Sequence, residues 1–198
     1  MREKLVEKIG EGRYRECFAF ENSDLCVKRL KPFIKKNYFG MEFKFETQKY
    51  VRRKFGIESL NQKEFEIIDD LPQWFGRYIP NEVFLKDDLI YMSRPKDFDG
   101  SYSRTIQEHG RVDNPTFWRG VEDIVKMIEK NKLWFFDIFH YGNNLIVNKE
   151  YKCHWRPVVI DFKRLGSSSY PFQLNLRFEE QKRNKFYRRL NRFYDSFM

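Results

Sequence analysis

Two glycines separated by one residue, Gly10 and Gly12, interrupt a strand-like run near the start of the chain. Between two strands, a G-x-G turn lets backbone N–H groups approach an anion without interference from a Cβ atom. The next strand ends in LCVK (residues 25–28), and its apolar residues predict that Lys28 points away from the exposed face. Such a lysine can pair with the phosphates of a nucleotide that lies under the glycine turn. Considered one at a time, Gly10 and Gly12 could form an ordinary hairpin turn, and Lys28 could be a solvated lysine.

The ammonium of Lys28 would need a carboxylate to hold it. From Tyr38 to Phe55 the residue spacing predicts a helix, on which Glu42 and Glu46 are four residues apart and share one face. We expect Glu46, or alternatively Glu42, to pair with Lys28. Pairing of both glutamates with nearby lysines is the other reading.

Candidate oxygen ligands lie in the second half of the chain. Asp137 follows an aromatic run, Asn143 and Asn144 lead into an apolar strand, and Asp161 ends the strand PVVID. Magnesium prefers carboxylate and amide oxygens and also bridges nucleotide phosphates. Asp161 with Asn144, or with Asn143, can therefore hold Mg²⁺, while Asp137 accepts the proton of an attacking hydroxyl. Alternatively, Asp137 caps a helix, Asn143 and Asn144 are turn residues, and Asp161 is solvated at a strand end.

The hydrophobic periodicity predicts the elements that must position these residues. Residues 4–30 are predicted as strands with a hairpin turn at ENSD, and two more short strands flank residues 86–88. Apolar residues at helical spacing after Phe117 predict a helix that ends near Asn131. LIVN and RPVVIDF are predicted as strands, and the last stretch as a basic helix with an aromatic stripe.

The order of these features resembles the protein-kinase-like superfamily: glycine turn, strand lysine, helix glutamate, Asp with Asn, and strand-end Asp. More closely, the chain is similar over about residues 7–193 to the YrbL family, small bacterial proteins of the PhoP regulatory network, and more distantly to lipopolysaccharide sugar kinases. The similarity is carried by the segments IGEGRYRECFAF, DFDGSYS, NKLWFFDIFHYGNNLIV, PVVIDF and KRNKFYRRLNRF.

The resemblance implies an α+β, protein-kinase-like bilobal fold. Its β-rich N-lobe, residues 1–94, would hold the glycine loop, the lysine strand, one helix and the hinge strands. Its reduced and mostly helical C-lobe, residues 95–198, would hold the catalytic-loop-like and metal-Asp motifs and the basic terminal helix.

The resemblance also implies an ATP- and Mg²⁺-dependent phosphotransferase whose acceptor is a protein, sugar or lipopolysaccharide-related hydroxyl. The implied nucleotide-binding residues are Gly10, Gly12, Lys28, Glu46 and, near the adenine, Met92. Asp137 and Lys28 are the implied catalytic residues, and Asn144 and Asp161 the implied metal ligands.

The chain departs from the kinase pattern at several positions. Arg15 replaces the third glycine, where it either contacts or blocks a phosphate, and Lys163 replaces the glycine after the metal-Asp motif. Asn143 and Asn144 follow Asp137 by six and seven residues, a longer interval than the pattern has. The segment SSSYPFQLNLRF carries no Ala-Pro-Glu-type anchor, so protein-kinase activity is not implied. A pseudokinase, acting as a nucleotide-binding or protein-interaction module, is the alternative function.

The composition indicates a globular protein whose positive charge points to an anionic partner, and a well-solvated basic surface without a partner is the alternative. The chain has 198 residues, 41% of them hydrophobic, and a net charge of +9, which suits a nucleotide, a nucleic acid or a membrane surface. Seven Lys or Arg residues fall within Arg177–Arg192, where Phe186, Leu190 and Phe193 would share one helix face. That face either packs in the core or contacts lipid or bases, and the basic face is a candidate anionic-surface contact.

Three features predict a cytoplasmic protein. The cysteines are three in number and lack CxxC spacing, which suits a reducing compartment. The first residues lack the apolar segment of a signal peptide. No apolar run approaches the roughly 18 residues of a membrane span, so we expect no transmembrane segment.

Overall fold

The chain forms an α+β structure of antiparallel sheets and helices. The computed structural model describes residues 5–134, 137–162 and 179–198. The chain divides into two compact units. The first unit comprises Met1–Asp69 and Glu82–Ser93, and the second comprises Asp70–Asn81 and Arg94–Met198.

A five-stranded antiparallel sheet forms the centre of the first unit. Its strands, in spatial order, are β1 (Leu5–Glu11), β2 (Arg15–Phe20), β3 (Leu25–Leu30), β7 (Leu89–Ser93) and β6 (Val83–Lys86). The strands predicted within residues 4–30 and around residues 86–88 are therefore confirmed. Lys28 lies on β3, the middle strand of this sheet.

The helix predicted over residues 38–55 is wrong in its first part. A separate antiparallel hairpin forms there, with strands β4 (Phe33–Tyr38) and β5 (Met41–Glu46), and helix α1 begins only at Thr47 and ends at Phe55. In the segment MEFKFE, apolar and charged residues alternate with the period of two that a strand requires. Glu42 and Glu46 therefore lie on a strand and not on one face of a helix.

Helix α2 (Leu60–Asp69) packs on strands β3, β6 and β7. This helix was not predicted from the sequence. The Ser59 hydroxyl accepts the N–H of Gln62 at 3.0 Å and caps its first turn. Its buried residues recur at helical spacing and include two polar ones: Leu60, Asn61, Glu64, Ile67 and Ile68.

The second unit contains a three-stranded antiparallel sheet and most of the helical residues. The strands, in spatial order, are β10 (Trp155–Val159), β9 (Leu145–Lys149) and β8 (Arg104–Thr105). Its helices are α3 (Ile106–His109), α4 (Pro115–Lys130) and α5 (Glu179–Phe197), with 3₁₀ turns at Gln73–Tyr78 and Asp137–Phe139.

Helix α4 has the sequence signals that define a helix at both ends. Asn114 caps its first turn by accepting the N–H groups of Thr116 and Phe117, and Asn131 is its C-cap. The buried face of α4 packs on β10. The predicted helix ending near Asn131 is confirmed as α4, and the two predicted strands are confirmed as β9 and β10.

Within the part of the chain that the structure describes, no helix is both long enough and apolar enough to cross a bilayer.

Gly120 permits the close approach of α4 to β10, and we predict that Gly120→Ala destabilises the protein. A Cβ atom there would lie 2.5 Å from Cδ of Pro157 and 3.2 Å from Cε1 of Tyr78. Alanine gains about 1 kcal/mol of helix propensity, but overpacking against a rigid ring costs about 1–3 kcal/mol. We expect urea denaturation to show a net decrease of up to about 2 kcal/mol in the free energy of unfolding.

The matched control is Gly76→Ala, because a Cβ atom at Gly76 meets nothing within 4 Å. A Gly120→Ala protein at least as stable as the wild type would contradict the packing described for α4.

Candidate functional site

The centre of the candidate site is a buried ion pair between Lys28 of β3 and Glu64 of α2. Lys28 Nζ lies 2.9 Å from Glu64 Oε1, and the side chains are 10% and 0% exposed. The second carboxylate oxygen of Glu64 accepts a hydrogen bond from Arg15, which is also buried. Two cations on adjacent strands thus share one carboxylate in a setting where electrostatic interactions are strong.

Asn61 fixes the same helix to the sheet one turn before Glu64. Its side-chain amide donates to the carbonyl oxygens of Lys28, at 3.1 Å, and Asp88, at 2.7 Å, while its Oδ1 accepts from Arg15 at 3.1 Å. Helix α2 is therefore held to β2, to β3 and to the turn between β6 and β7. These bonds position the Glu64 carboxylate against the Lys28 ammonium.

The expected pairing of Lys28 with Glu46 or Glu42 is wrong. Glu46 pairs with Lys49 at 2.7 Å and Glu42 pairs with Lys35 at 2.8 Å, both on the exposed surface. The physical reason is the strand β5, which places both glutamates away from Lys28. A buried lysine requires a buried carboxylate, and α2 supplies it as Glu64.

Gly10 and Gly12 lie where β1 turns into β2. A Cβ atom at Gly10 would be 3.5 Å from Cys17 Cβ, and one at Gly12 would be 3.6 Å from the Arg15 carbonyl oxygen, both ordinary contacts. Neither glycine has a positive φ. Since neither packing nor backbone torsion requires glycine here, the absence of side chains leaves space for a ligand to approach this turn. The Gly12 N–H itself donates to the Arg15 carbonyl oxygen at 2.8 Å.

Glu11 stands between the two glycines and is itself charged. Hydrogen bonds from Lys31 and Lys8 lower the pKa of its carboxyl group to about 2. The Lys8 ammonium lies 2.6 Å from it, so two cations offset the one negative charge of the turn.

The side chain of Met92 lies in the core of the first unit, where it packs with Cys26 and Ile90 and is only 3% exposed. Its strand, β7, pairs with β3 on one side and β6 on the other. The adenine contact expected near Met92 stays a prediction.

Strands β9 and β10 bring Asn144 and Asp161 to the same end of one hairpin. Leu145 pairs with Val159, and the Ile160 N–H donates to the Asn144 carbonyl oxygen at 3.1 Å. Asp161 comes next and is half-buried. Carboxylate and amide oxygens are a donor set that Mg²⁺ accepts. Asn143 is exposed and Asn144 half-buried, and both lie at this end of the hairpin.

The described residues contain no group of three or more His, Cys, Asp or Glu side chains placed to bind a metal. Asp161 and Asn144 form a smaller set, with one carboxylate and one amide.

Asp137 begins a 3₁₀ turn, Asp137–Phe139, and its side chain lies outside the described part of the chain. The turn is anchored through Phe139, whose ring centroid is 5.0 Å from that of Phe193 and 5.8 Å from that of Phe186. Helix α5 thereby fixes the backbone that carries Asp137.

A left-handed turn occupies the long interval between Asp137 and Asn144. Tyr141 and Gly142 have φ values of +64° and +71°. A Cβ atom at Gly142 would lie 2.8 Å from Ile106 Cγ2, so both the backbone and the packing require glycine there.

The aromatic face of α5 packs in the core of the second unit. Phe186, Leu190 and Phe193 are all buried, which decides between the two readings of that face. Arg183, Arg188 and Arg192 are exposed on the same helix. The anionic contact of this basic face stays a prediction, and residues 163–178, which include Lys163 and Arg177, lie outside the described residues.

The sequence did not indicate two residues of the site, Glu64 and Asn61, or the burial of Arg15 against Glu64. Ser59 as a cap and the helical spacing from Leu60 to Ile68 were the available signals for α2. Neither signal distinguishes a buried glutamate from an exposed one, because glutamates in helices usually face solvent.

The chain matches no protein-family model and no curated protein sequence.

The shared carboxylate predicts unequal effects for two conservative substitutions. Glu64→Gln leaves Lys28 and Arg15 against a neutral amide, so we expect it to lower the free energy of unfolding by about 3–5 kcal/mol. Lys28→Met leaves Glu64 paired with Arg15, so we expect a loss below about 2 kcal/mol. Urea denaturation of both variants measures the difference.

Equal losses for the two variants would contradict the arrangement, since they would mean that Arg15 does not compensate Glu64 when Lys28 is removed.

Proposed function

We propose that this protein is an ATP- and Mg²⁺-dependent phosphotransferase with a kinase-like bilobal fold, and a member of the YrbL family. The observation that carries the proposal is the buried pair between Lys28 of β3 and Glu64 of α2, in the same unit as the β1–β2 hairpin that contains Gly10 and Gly12. With Glu64 in place of Glu46, the order of glycine turn, strand lysine, helix glutamate, Asp with Asn and strand-end Asp is complete.

Lys28 neutralises phosphate charge, and Glu64 sets its position. The ammonium of a solvent-exposed lysine moves freely, because its side chain is flexible. Lys28 is held in one position by its place on β3 and by the Glu64 carboxylate. Arg15 offsets part of the charge of Glu64, which leaves the lysine able to engage a second anion. Gly10 and Gly12 let backbone N–H groups approach the same phosphates.

Asn144 and Asp161 hold the metal ion through one amide oxygen and one carboxylate. When bound, Mg²⁺ supplies charge neutralisation at the phosphate oxygens. The β9–β10 ladder fixes the spacing of the two residues, and Phe162, fully buried beside Asp161, fixes the backbone after it. Positioning of this kind is the main protein contribution in phosphoryl transfer.

Asp137 accepts the proton of the acceptor hydroxyl. As the hydroxyl oxygen bonds to the γ-phosphorus, the bond from that phosphorus to the ADP oxygen breaks, and the products are a phosphate ester and ADP. The carboxylate of Asp137 holds the released proton. Protein, sugar and lipopolysaccharide-related hydroxyl groups are the acceptor classes.

A pseudokinase is the second candidate function, and the turn at Tyr141–Gly142 favours it. The turn lengthens the interval from Asp137 to Asn144, which alters the spacing between proton acceptor and metal ligand. Such a protein binds nucleotide without turnover. Release of ADP in the presence of candidate acceptors separates the two functions.

The proposal predicts that ATP binding depends on Mg²⁺ and on Asp161. We expect calorimetric titration of ATP into the wild type to give binding with Mg²⁺ and at least about tenfold weaker binding without it, because the metal offsets the triphosphate charge. Asp161→Asn removes a charged ligand and should remove most of the Mg²⁺ dependence.

Asp195→Asn is the matched control, since Asp195 is exposed on α5 in the same unit. Binding that is indifferent to Mg²⁺, or equal weakening by both substitutions, would refute the metal assignment. No ATP binding at all would refute both the phosphotransferase and a nucleotide-binding pseudokinase.

A further inference from the structure

The β4–β5 hairpin, residues 33–46, presents a concentration of exposed apolar side chains in the first unit. Phe39, at its tip, is 99% exposed. Four more large apolar residues of the hairpin are 41–59% exposed: Phe33, Tyr38, Met41 and Phe43. Exposed apolar residues that cluster on one projection mark an interaction surface more often than scattered ones do.

The turn at the tip is built with a residue that the backbone disfavours. Phe39 and Gly40 have φ values of +52° and +80°, as a two-residue type I′ turn requires. The β6–β7 hairpin makes the same kind of turn with Asp87 and Asp88, residues that tolerate the left-handed region. A bulky aromatic residue is unfavourable there, and Phe39 gains almost no burial in exchange.

Aromatic side chains of the hairpin pack on one another and on α1. The ring of Tyr38 lies 5.9 Å from that of Phe43 and 6.4 Å from that of Phe45, measured between centroids. Phe45 in turn lies 5.8 Å from Tyr50 of α1. Because an isolated two-stranded hairpin is only marginally stable, these ring contacts stabilise the hairpin and join it to α1.

Basic residues surround the base of the hairpin. Residues 31–54 contain eight Lys or Arg and two acidic residues, so this segment carries a net positive charge. Four of the eight basic residues form ion pairs with glutamates: Lys31 with Glu11, Lys35 with Glu42, Lys49 with Glu46 and Arg52 with Glu58. An open groove of about 620 Å³ beside the hairpin is lined by Tyr38, Phe45 and Tyr50, by Glu46 and by basic side chains. Those basic side chains are Lys44, Lys49 and Arg53.

We propose that the β4–β5 hairpin docks the protein on a bilayer that contains anionic lipid. Phe39 and Met41 insert at the level of the acyl chains, and the basic residues behind them contact the phosphates of the headgroups. Tyrosine and lysine side chains suit the boundary between these layers, because each joins an apolar body to a polar end. The inference rests on the hairpin alone and is independent of nucleotide binding.

The arrangement favours a bilayer over the other anionic partners. Tyr38, Phe39 and Met41 lie at the tip, and Lys35, Lys36 and Lys44 follow along the two strands, which is the layering of a membrane interface. Phe33, at the open end of the hairpin, lies outside this layering. Single-stranded nucleic acid would need basic groups that track a backbone beside the stacking rings, and methionine offers no aromatic face for a base.

Vesicle flotation of the full chain tests the proposal with two kinds of vesicle, phosphatidylcholine alone and phosphatidylcholine mixed with phosphatidylglycerol. We expect binding only to the mixed vesicles, weakened by added salt. Phe39→Asn should weaken that binding about tenfold or more. Asparagine followed by Gly40 is a favoured type I′ turn, so the variant should melt no lower than the wild type.

Tyr151→Asn is the matched control, because Tyr151 is a 68% exposed aromatic residue of the second unit. It should bind the mixed vesicles as the wild type does. A wild type that binds neither vesicle overturns the proposal, and so does a Phe39→Asn variant that binds undiminished. Sedimentation velocity tests whether the hairpin serves self-association instead. That is the conclusion if the wild type is a dimer, Phe39→Asn is a monomer, and vesicle binding is unchanged.

Discussion

A carboxylate with no solvent exposure, Glu64, is the constraint on which the first unit depends. A buried charge is tolerable only when it is paired and hydrogen-bonded, so helix α2 has to lie where Lys28 and Arg15 can reach it. The side-chain amide of Asn61 donates hydrogen bonds to backbone carbonyl oxygens of β3 and of the β6–β7 turn. One polar cluster thus decides how the helix sits on the sheet and where the ammonium of Lys28 is held.

The second unit positions its candidate residues by packing and strand register rather than by a buried charge. The β9–β10 ladder places Asn144 and Asp161 at one end of a hairpin, and the close contact at Gly120 seats α4 on β10. Helix α5 contributes its aromatic face, which anchors the 3₁₀ turn at Asp137. Its arginines Arg183, Arg188 and Arg192 are exposed, whereas the rings of Phe186 and Phe193 are buried and structural.

Much of the fold was predictable, because alternation and helical spacing are local properties of the sequence. They identified strands β1, β2 and β3, the hairpin of β6 and β7, and helix α4 with its stop at Asn131. They failed at residues 38–46, where helix-favouring Glu, Lys and Met obscured a strand alternation that was present. The partner of Lys28 was missed for a different reason, since burial of Glu64 depends on which face of α2 meets the sheet, and that is decided by tertiary packing.

We propose that the buried pair presents Lys28 to nucleotide phosphate. The affinity of Lys28→Met for ATP with Mg²⁺, compared with that of the wild type at a temperature where both are folded, tests this role of Lys28. We expect at least about tenfold weaker binding by the folded variant, because the lysine charge is lost while Glu64 keeps Arg15. Unchanged affinity in a folded Lys28→Met protein would mean that the pair serves only to join α2 to the sheet.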